Sequence, residues 1–138
     1  MDPTTLGLPH REPFVFIKDV TEVTAGKAAL GVTHFAAEEA MFRGHFPGNP
    51  IVPGVILTEA LAQMAGIAGA SGEGRRFLLS AIRNMKFPGA ALPGEEISLA
   101  ATKTGEMAGL WMFQVKAAVG ERTVAEGQVV LNEEKHGE

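Results

Sequence analysis

The chain has 138 residues, 46% of them apolar and 20% charged, a length and balance that suit one hydrophobic core and exclude disordered, collagen-like and coiled-coil architectures. Twelve Lys and Arg against sixteen Asp and Glu leave a net charge of −4, which argues against a general nucleic-acid binder, because counterion release needs a broad basic surface. With no cysteine, disulfides, thiolate nucleophiles and Cys-based zinc sites are excluded, and the composition suits a cytoplasmic protein.

Residues 1–9 have neither the basic start nor the apolar run of a secretory signal and read as a short cap. Residues 14–24, rich in Phe, Val and Ile, predict a strand. Ala25-Gly26 supplies a turn into a second strand over 27–35, giving a hairpin. Residues 36–42 predict one or two helical turns, followed by a loop punctuated by Gly44, Pro47, Gly48, Asn49, Pro50, Pro53 and Gly54. Residues 54–70 predict a helix about 25 Å long that is apolar nearly all round. A membrane span wants about 20 apolar residues, and Glu59 near the middle would cost several kcal/mol there, so the helix is expected inside a soluble protein.

After a break at 71–74, strands are predicted over 76–87, 95–104, 108–120 and 123–132, with turns at Thr104-Gly105 and Gly120-Glu121. Alternation is clearest at Trp111, Phe113, Val115, Ala117 and Val119, with Met112, Gln114 and Lys116 between them. Residues 133–138 read as a polar tail with no reason to order. The expectation is one α+β domain over 1–138, in which two strands, one long helix and a four-strand meander combine. A helix apolar on every side is enclosed only if the six-stranded sheet curls about it.

Between Gly44 and Gly72 the ionisable side chains are His45 and Glu59 alone. A carboxylate in a helix of Val, Ile, Leu, Ala, Met and Gly pays several kcal/mol of desolvation unless it is paired or hydrated. Glu59 therefore either anchors the helix to neighbouring backbone or does chemistry. His45 is likewise either a loop imidazole satisfied by a carbonyl or a proton acceptor.

The string Phe42-Arg43-Gly44-His45-Phe46-Pro47-Gly48-Asn49-Pro50-Ile51-Val52-Pro53-Gly54-Val55-Ile56-Leu57-Thr58-Glu59-Ala60-Leu61-Ala62-Gln63 closely resembles the signature of the 3-hydroxyacyl-acyl-carrier-protein dehydratases of fatty-acid synthesis, in the hot-dog superfamily. That signature is a Gly-His-Phe-Pro-Gly loop, a Pro-Gly at a helix start, and an acid followed four residues later by Gln. Leu8-Pro9-His10-Arg11 with Pro13-Phe14 is similar to the family's opening segment, and Phe87 with Pro93-Gly94-Glu95 to its return strand and turn. The resemblance implies a curved antiparallel sheet around a central helix and water removal from 3-hydroxyacyl thioesters without a cofactor. It also implies acyl carrier protein as partner. Glu59, where the dehydratase-isomerases carry Asp, implies dehydration alone.

That reaction needs a base for the C2 proton, an acid for the departing hydroxyl and donors for the thioester oxygen. His45, with an unperturbed pKa of about 6.5, suits the base. Glu59, with its carboxyl pKa raised by an apolar helix, suits the acid. In the family the N–H matching Gly54, at the positive end of the helix dipole, is the oxyanion donor; otherwise Gly54 is a flexible helix start. Gln63, one turn beyond Glu59, either orients the carboxylate or is ordinary helix polarity. Met64, Ile67, Met85, Phe87 and Trp111 line an acyl tunnel or belong to the core.

Family members form at least dimers, some of them trimers of dimers, with the His of one subunit facing the acid of the other. An acidic carrier needs a basic spot, and Arg75, Arg76, Arg83 and Lys86 against Glu73 make residues 73–86 locally +3. The chain departs from the family at Glu12, where Tyr is frequent, and at Gly89-Ala90-Ala91, where Arg-Pro and a β-branched residue are usual. Phe77 falls at the place of a gating Tyr. Two other readings stay open: a hot-dog thioesterase, and a non-catalytic carrier-binding partner subunit. His10, His34 and His136 show no ligand spacing, and no metal is assigned.

Overall fold

The computed structural model describes residues 1–70 and 74–134. Strands β1 (Asp19–Thr24) and β2 (Ala28–Thr33) form the expected hairpin, a 3₁₀ turn spans Ala40–Arg43, and helix α1 runs Gly54–Ala70. Strands β3 (Arg76–Lys86), β4 (Ile97–Met107), β5 (Leu110–Val119) and β6 (Arg122–Glu134) complete one antiparallel sheet. All six strands contact α1, whose Leu57, Leu61, Met64 and Ile67 are fully enclosed. No helix among the described residues is long and apolar enough to cross a membrane.

The strand order is β1-β2-β4-β5-β6-β3, so the four-strand meander is corrected: only β4-β5-β6 is one. The tight connections at Ala108-Gly109 and Gly120-Glu121 leave β4, β5 and β6 no choice but to be neighbours. The ten residues between β3 and β4 are long enough to cross, and β3 pairs with β6 at the far edge. The turn expected at Thr104-Gly105 is instead a register shift within the β4–β5 pair. The chain reverses at Ala108 and Gly109, both at positive φ (52° and 82°), the backbone that a two-residue hairpin requires. The polar tail begins later than expected, because Glu133 and Glu134 pair with Phe77 and Arg76 in β6; residues 135–138, like 71–73 of the break, lie outside the described residues.

Residues 14–18, expected in the first strand, precede it. Two of their backbone groups are met by the helix, Phe16 N–H donating to Gln63 Oε1 and Gln63 Nε2 donating to Phe14 C=O, each at 3.0 Å, while Lys18 N–H already donates to Val32 C=O of β2 (3.0 Å). At Phe14 and Phe16, tertiary hydrogen bonding thus replaces the ladder that β propensity suggests. At the far end of α1, the Gly26 N–H of the β1–β2 turn donates to the Ala68 carbonyl (2.8 Å), satisfying one of the orphan acceptors of the last turn.

The two sheet edges differ. Along β1 the first residue pairs in register, Val20 N–H donating to Met1 C=O (2.9 Å) and the Met1 ammonium meeting Asp19. Along β3 nothing among the described residues covers the outer edge, and Leu78, Leu79 and Ile82 are exposed there.

Two helix glycines separate packing from propensity. A Cβ at Gly69 would sit 2.7 Å from the Phe77 ring, whereas one at Gly66 would meet nothing within 4 Å. Gly69→Ala is expected to destabilise the fold by about 1–3 kcal/mol through overpacking, and Gly66→Ala to stabilise it by about 0.5–1 kcal/mol through helix propensity. Urea unfolding of the two variants beside wild type checks the opposite signs.

Candidate active site

The loop before α1 holds His45 by its backbone on both sides. His45 N–H donates to Met41 C=O (3.0 Å) and Ile51 N–H donates to His45 C=O (3.0 Å), while Phe46 and Asn49 exchange a reciprocal pair of bonds. The imidazole stacks on Phe46 with centroids 4.0 Å apart. Its Nδ1 lies 2.9 Å from the Ile51 carbonyl. A carbonyl oxygen only accepts, so Nδ1 carries the hydrogen and Nε2 keeps its lone pair. The structure thus shows the imidazole satisfied by a loop carbonyl, a contact that also leaves Nε2 without a hydrogen.

Helix α1 opens at Gly54, whose N–H donates to no backbone carbonyl among the described residues. Glycine has a packing reason here, since a Cβ would come within 3.0–3.1 Å of the Phe87 ring. Phe87 and Val55, the latter 76% exposed, flank this helix start. A groove of about 380 Å³ holds His45, Gly54, Val55, Phe87, Gly89 and Ala90. A second groove, of about 270 Å³, lies beyond the same Val55 and Phe87 and holds Glu59, Leu79, Ile82 and Met85. Within one chain the imidazole and the carboxylate thus line separate depressions.

Glu59 is 21% exposed rather than sealed in the core. Gln63, only 1% exposed, donates from Nε2 to Glu59 Oε2 (3.0 Å) while also clamping residues 14–16, so the expected orienting contact between the two is present. Sequence reasoning missed His10, whose Nε2 is 3.5 Å from the same Oε2. No local spacing connects residue 10 with residue 59; the signal available was a carboxylate in an apolar helix, which demands partners from another segment. Glu59 also forms a wall of a cavity of about 70 Å³ shared with Leu8, Pro9, His10, Gly66 and Phe77.

Phe77 reaches that cavity as a buried residue, edge-on to Trp111 (5.0 Å) and pressed against Gly69, while the adjacent Leu78 and Leu79 are exposed. Of the five tunnel candidates, Met64, Ile67 and Trp111 are core, and Met85 and Phe87 line the Glu59 groove. In the expected carrier-docking patch, Arg75, just before β3, pairs with Glu133 (3.4 Å) and Arg76, the first residue of β3, with Glu134 (3.6 Å), both partners in β6. Arg83 and Lys86 are exposed, with no ion pair among the described residues. No group of three or more His, Asp or Glu with metal-binding geometry occurs among the described residues.

A six-stranded antiparallel sheet curled around one apolar helix, with an imidazole near the helix start and a carboxylate further along it, is the hot-dog architecture. The FabA-like domain family matches residues 8–128. Over 125 residues the chain is 39% identical to the 3-hydroxyacyl-[acyl-carrier-protein] dehydratase FabZ of Acetivibrio thermocellus, covering 88% of this chain and 86% of the relative. It is 40% identical to FabZ of Ruminiclostridium cellulolyticum, covering 88% of each. In three dimensions it is similar to a chain of the dehydratase heterocomplex ApeI:P from Xenorhabdus doucetiae, with a TM-score of 0.76 at 15% identity over 99% of this chain and 93% of that one, a likeness of fold. The chain belongs to the FabA-like family of 3-hydroxyacyl-[acyl-carrier-protein] dehydratases.

The Gln63 clamp carries a stability prediction. Gln63→Leu leaves Phe14 C=O and Phe16 N–H near the core without partners, and is expected to cost about 2–4 kcal/mol. Chemical denaturation measures it, and hydrogen exchange should show the Phe16 amide among those that lose protection.

Proposed function

We propose that the chain removes water from 3-hydroxyacyl thioesters presented on acyl carrier protein, giving trans-2-enoyl thioesters. The observation that carries this reading is the Ile51 carbonyl on His45 Nδ1, which leaves Nε2 as a base in an apolar groove next to the uncommitted Gly54 amide. Nε2 takes the C2 proton as the thioester oxygen gains charge against the Gly54 N–H at the helix N-terminus. Glu59 gives a proton to the departing hydroxyl, which leaves as water. The proton on His45 and the one lost from Glu59 balance, so the enzyme resets without a cofactor.

His45 and Glu59 line different grooves of one chain, and β3 offers a bare edge beside the Glu59 groove. These facts support a dimer in which two copies join along β3, bringing the His45 groove of one to the Glu59 groove of the other and covering Leu79, Ile82 and Val55. Arg83 and Lys86, the two cations of the basic stretch left without ion pairs, support a carrier-docking role on the same strand.

His45→Ala and Glu59→Gln should each lower the rate of enoyl absorbance by about 10²–10⁴-fold. Mixed and re-equilibrated, the two inactive variants should recover about a quarter of wild-type activity, since half the dimers are then mixed and each of those holds one intact site. Thiol release without enoyl product, or unaffected variants, would overturn dehydration. Inactive variants with no recovery on mixing would overturn the shared site.

A further inference from the structure

We propose that His10 is a positioning residue for Glu59, donating from Nε2 to Glu59 Oε2 and so directing the transferable proton to Oε1. The inference rests on the dehydratase reading above and extends it to a residue outside the His–Gly–Glu set.

Three observations carry it. First, His10 Nε2 approaches Glu59 Oε2 at 3.5 Å, with the two side chains 30% and 21% exposed. Second, His10 Nδ1 is buried without a hydrogen-bond partner. A buried N–H left without an acceptor costs more than a buried lone pair left without a donor, so the neutral ring places its hydrogen on Nε2, facing the carboxyl group. Third, Gln63 Nε2 donates to that same oxygen at 3.0 Å, whereas Oε1 has no partner among the described residues. With one donor on Oε2 and a second nitrogen within 3.5 Å of it, the hydrogen of the acid form belongs on Oε1.

The ring is held for this role. It stacks on Phe14 (centroids 5.9 Å, planes 18° apart), and Phe14 is itself tied to α1 through Gln63. The groups that face His10 are few. From α1 it meets Glu59, the helix's one ionisable residue; the cavity-lining residues of β3, 77–79, are apolar; and the neighbouring Arg11 turns its guanidinium back onto the carbonyls of Leu8 and His10. When Glu59 passes its Oε1 proton to the leaving hydroxyl, the carboxylate that remains is held by N–H groups from His10 and Gln63 on Oε2. Such a bond is long at rest and tightens as charge develops.

Two variants give opposite outcomes for a donor and for a packing residue. His10→Phe keeps a ring against Phe14 and has no donor; His10→Gln keeps an N–H able to reach Oε2 and has no ring. A donor role predicts that His10→Phe lowers kcat by about 10–100-fold with KM within twofold, and that His10→Gln restores kcat to within about fivefold of wild type. His10→Phe equal to or better than His10→Gln, or both variants at the wild-type rate, would overturn the inference, and thermal melts of both establish that folded protein is compared. A wild-type protein that makes no enoyl product removes the dehydratase reading and this inference with it. An active wild type with His10→Phe unimpaired removes the inference alone.

Discussion

A helix apolar nearly all round cannot rest on one side of a flat sheet, because an uncovered apolar side exposes Leu, Ile and Met to water at about 25 cal/mol for each Å². The strands therefore contact α1 all along its length, and Leu57, Leu61, Met64 and Ile67 disappear from the surface. The remaining flank, at Glu59, Gln63 and Gly66, is covered by the segment from Leu8 to Phe16 together with β3, whose Phe77, Leu78 and Leu79 line the same cavity. The helix's two long polar side chains gather where that N-terminal segment meets the edge strand β3.

Within that site the backbone does much of the chemical preparation. Ile51 C=O decides which nitrogen of His45 is bare, and the start of α1 leaves Gly54 N–H without an acceptor. Gln63, saturated by Phe14, Phe16 and Glu59, ties the carboxylate's orientation to the same clamp that holds the N-terminal segment. Stability and reactivity therefore share one side chain. The carboxylate is oriented by bonds that also keep the helix covered, so it is held in place without a separate supporting layer.

Helix α1 was readable because seventeen residues of apolar, small and helix-forming side chains follow a Pro-Gly start and end before a Gly-rich break. The β5 alternation was readable because Trp111, Phe113, Val115 and Ala117 do face the core. The place of β3 was not. Nothing in its residues states whether it pairs with β4 or with β6, since pairing partners follow from connection lengths and the closure of the sheet. In sequence Phe77 stands at the place of a gate and Trp111 reads as tunnel or core; in space the Phe77 ring is buried against Gly69 and edge-on to Trp111. Arg75 and Arg76 count toward a basic patch in sequence and are paired with Glu133 and Glu134 in space.

Sequence alone was enough for one apolar helix, the strand-rich remainder and the His45–Gly54–Glu59 pattern, because each is written in local spacing and in side-chain type. Tertiary structure alone decided that β3 ends the sheet, that Phe14 and Phe16 bond to a helix side chain, and that His10 stands at Glu59. Those outcomes depend on which distant groups must satisfy one another once water is excluded, and hydrogen-bond satisfaction across a core leaves no periodic trace along the chain.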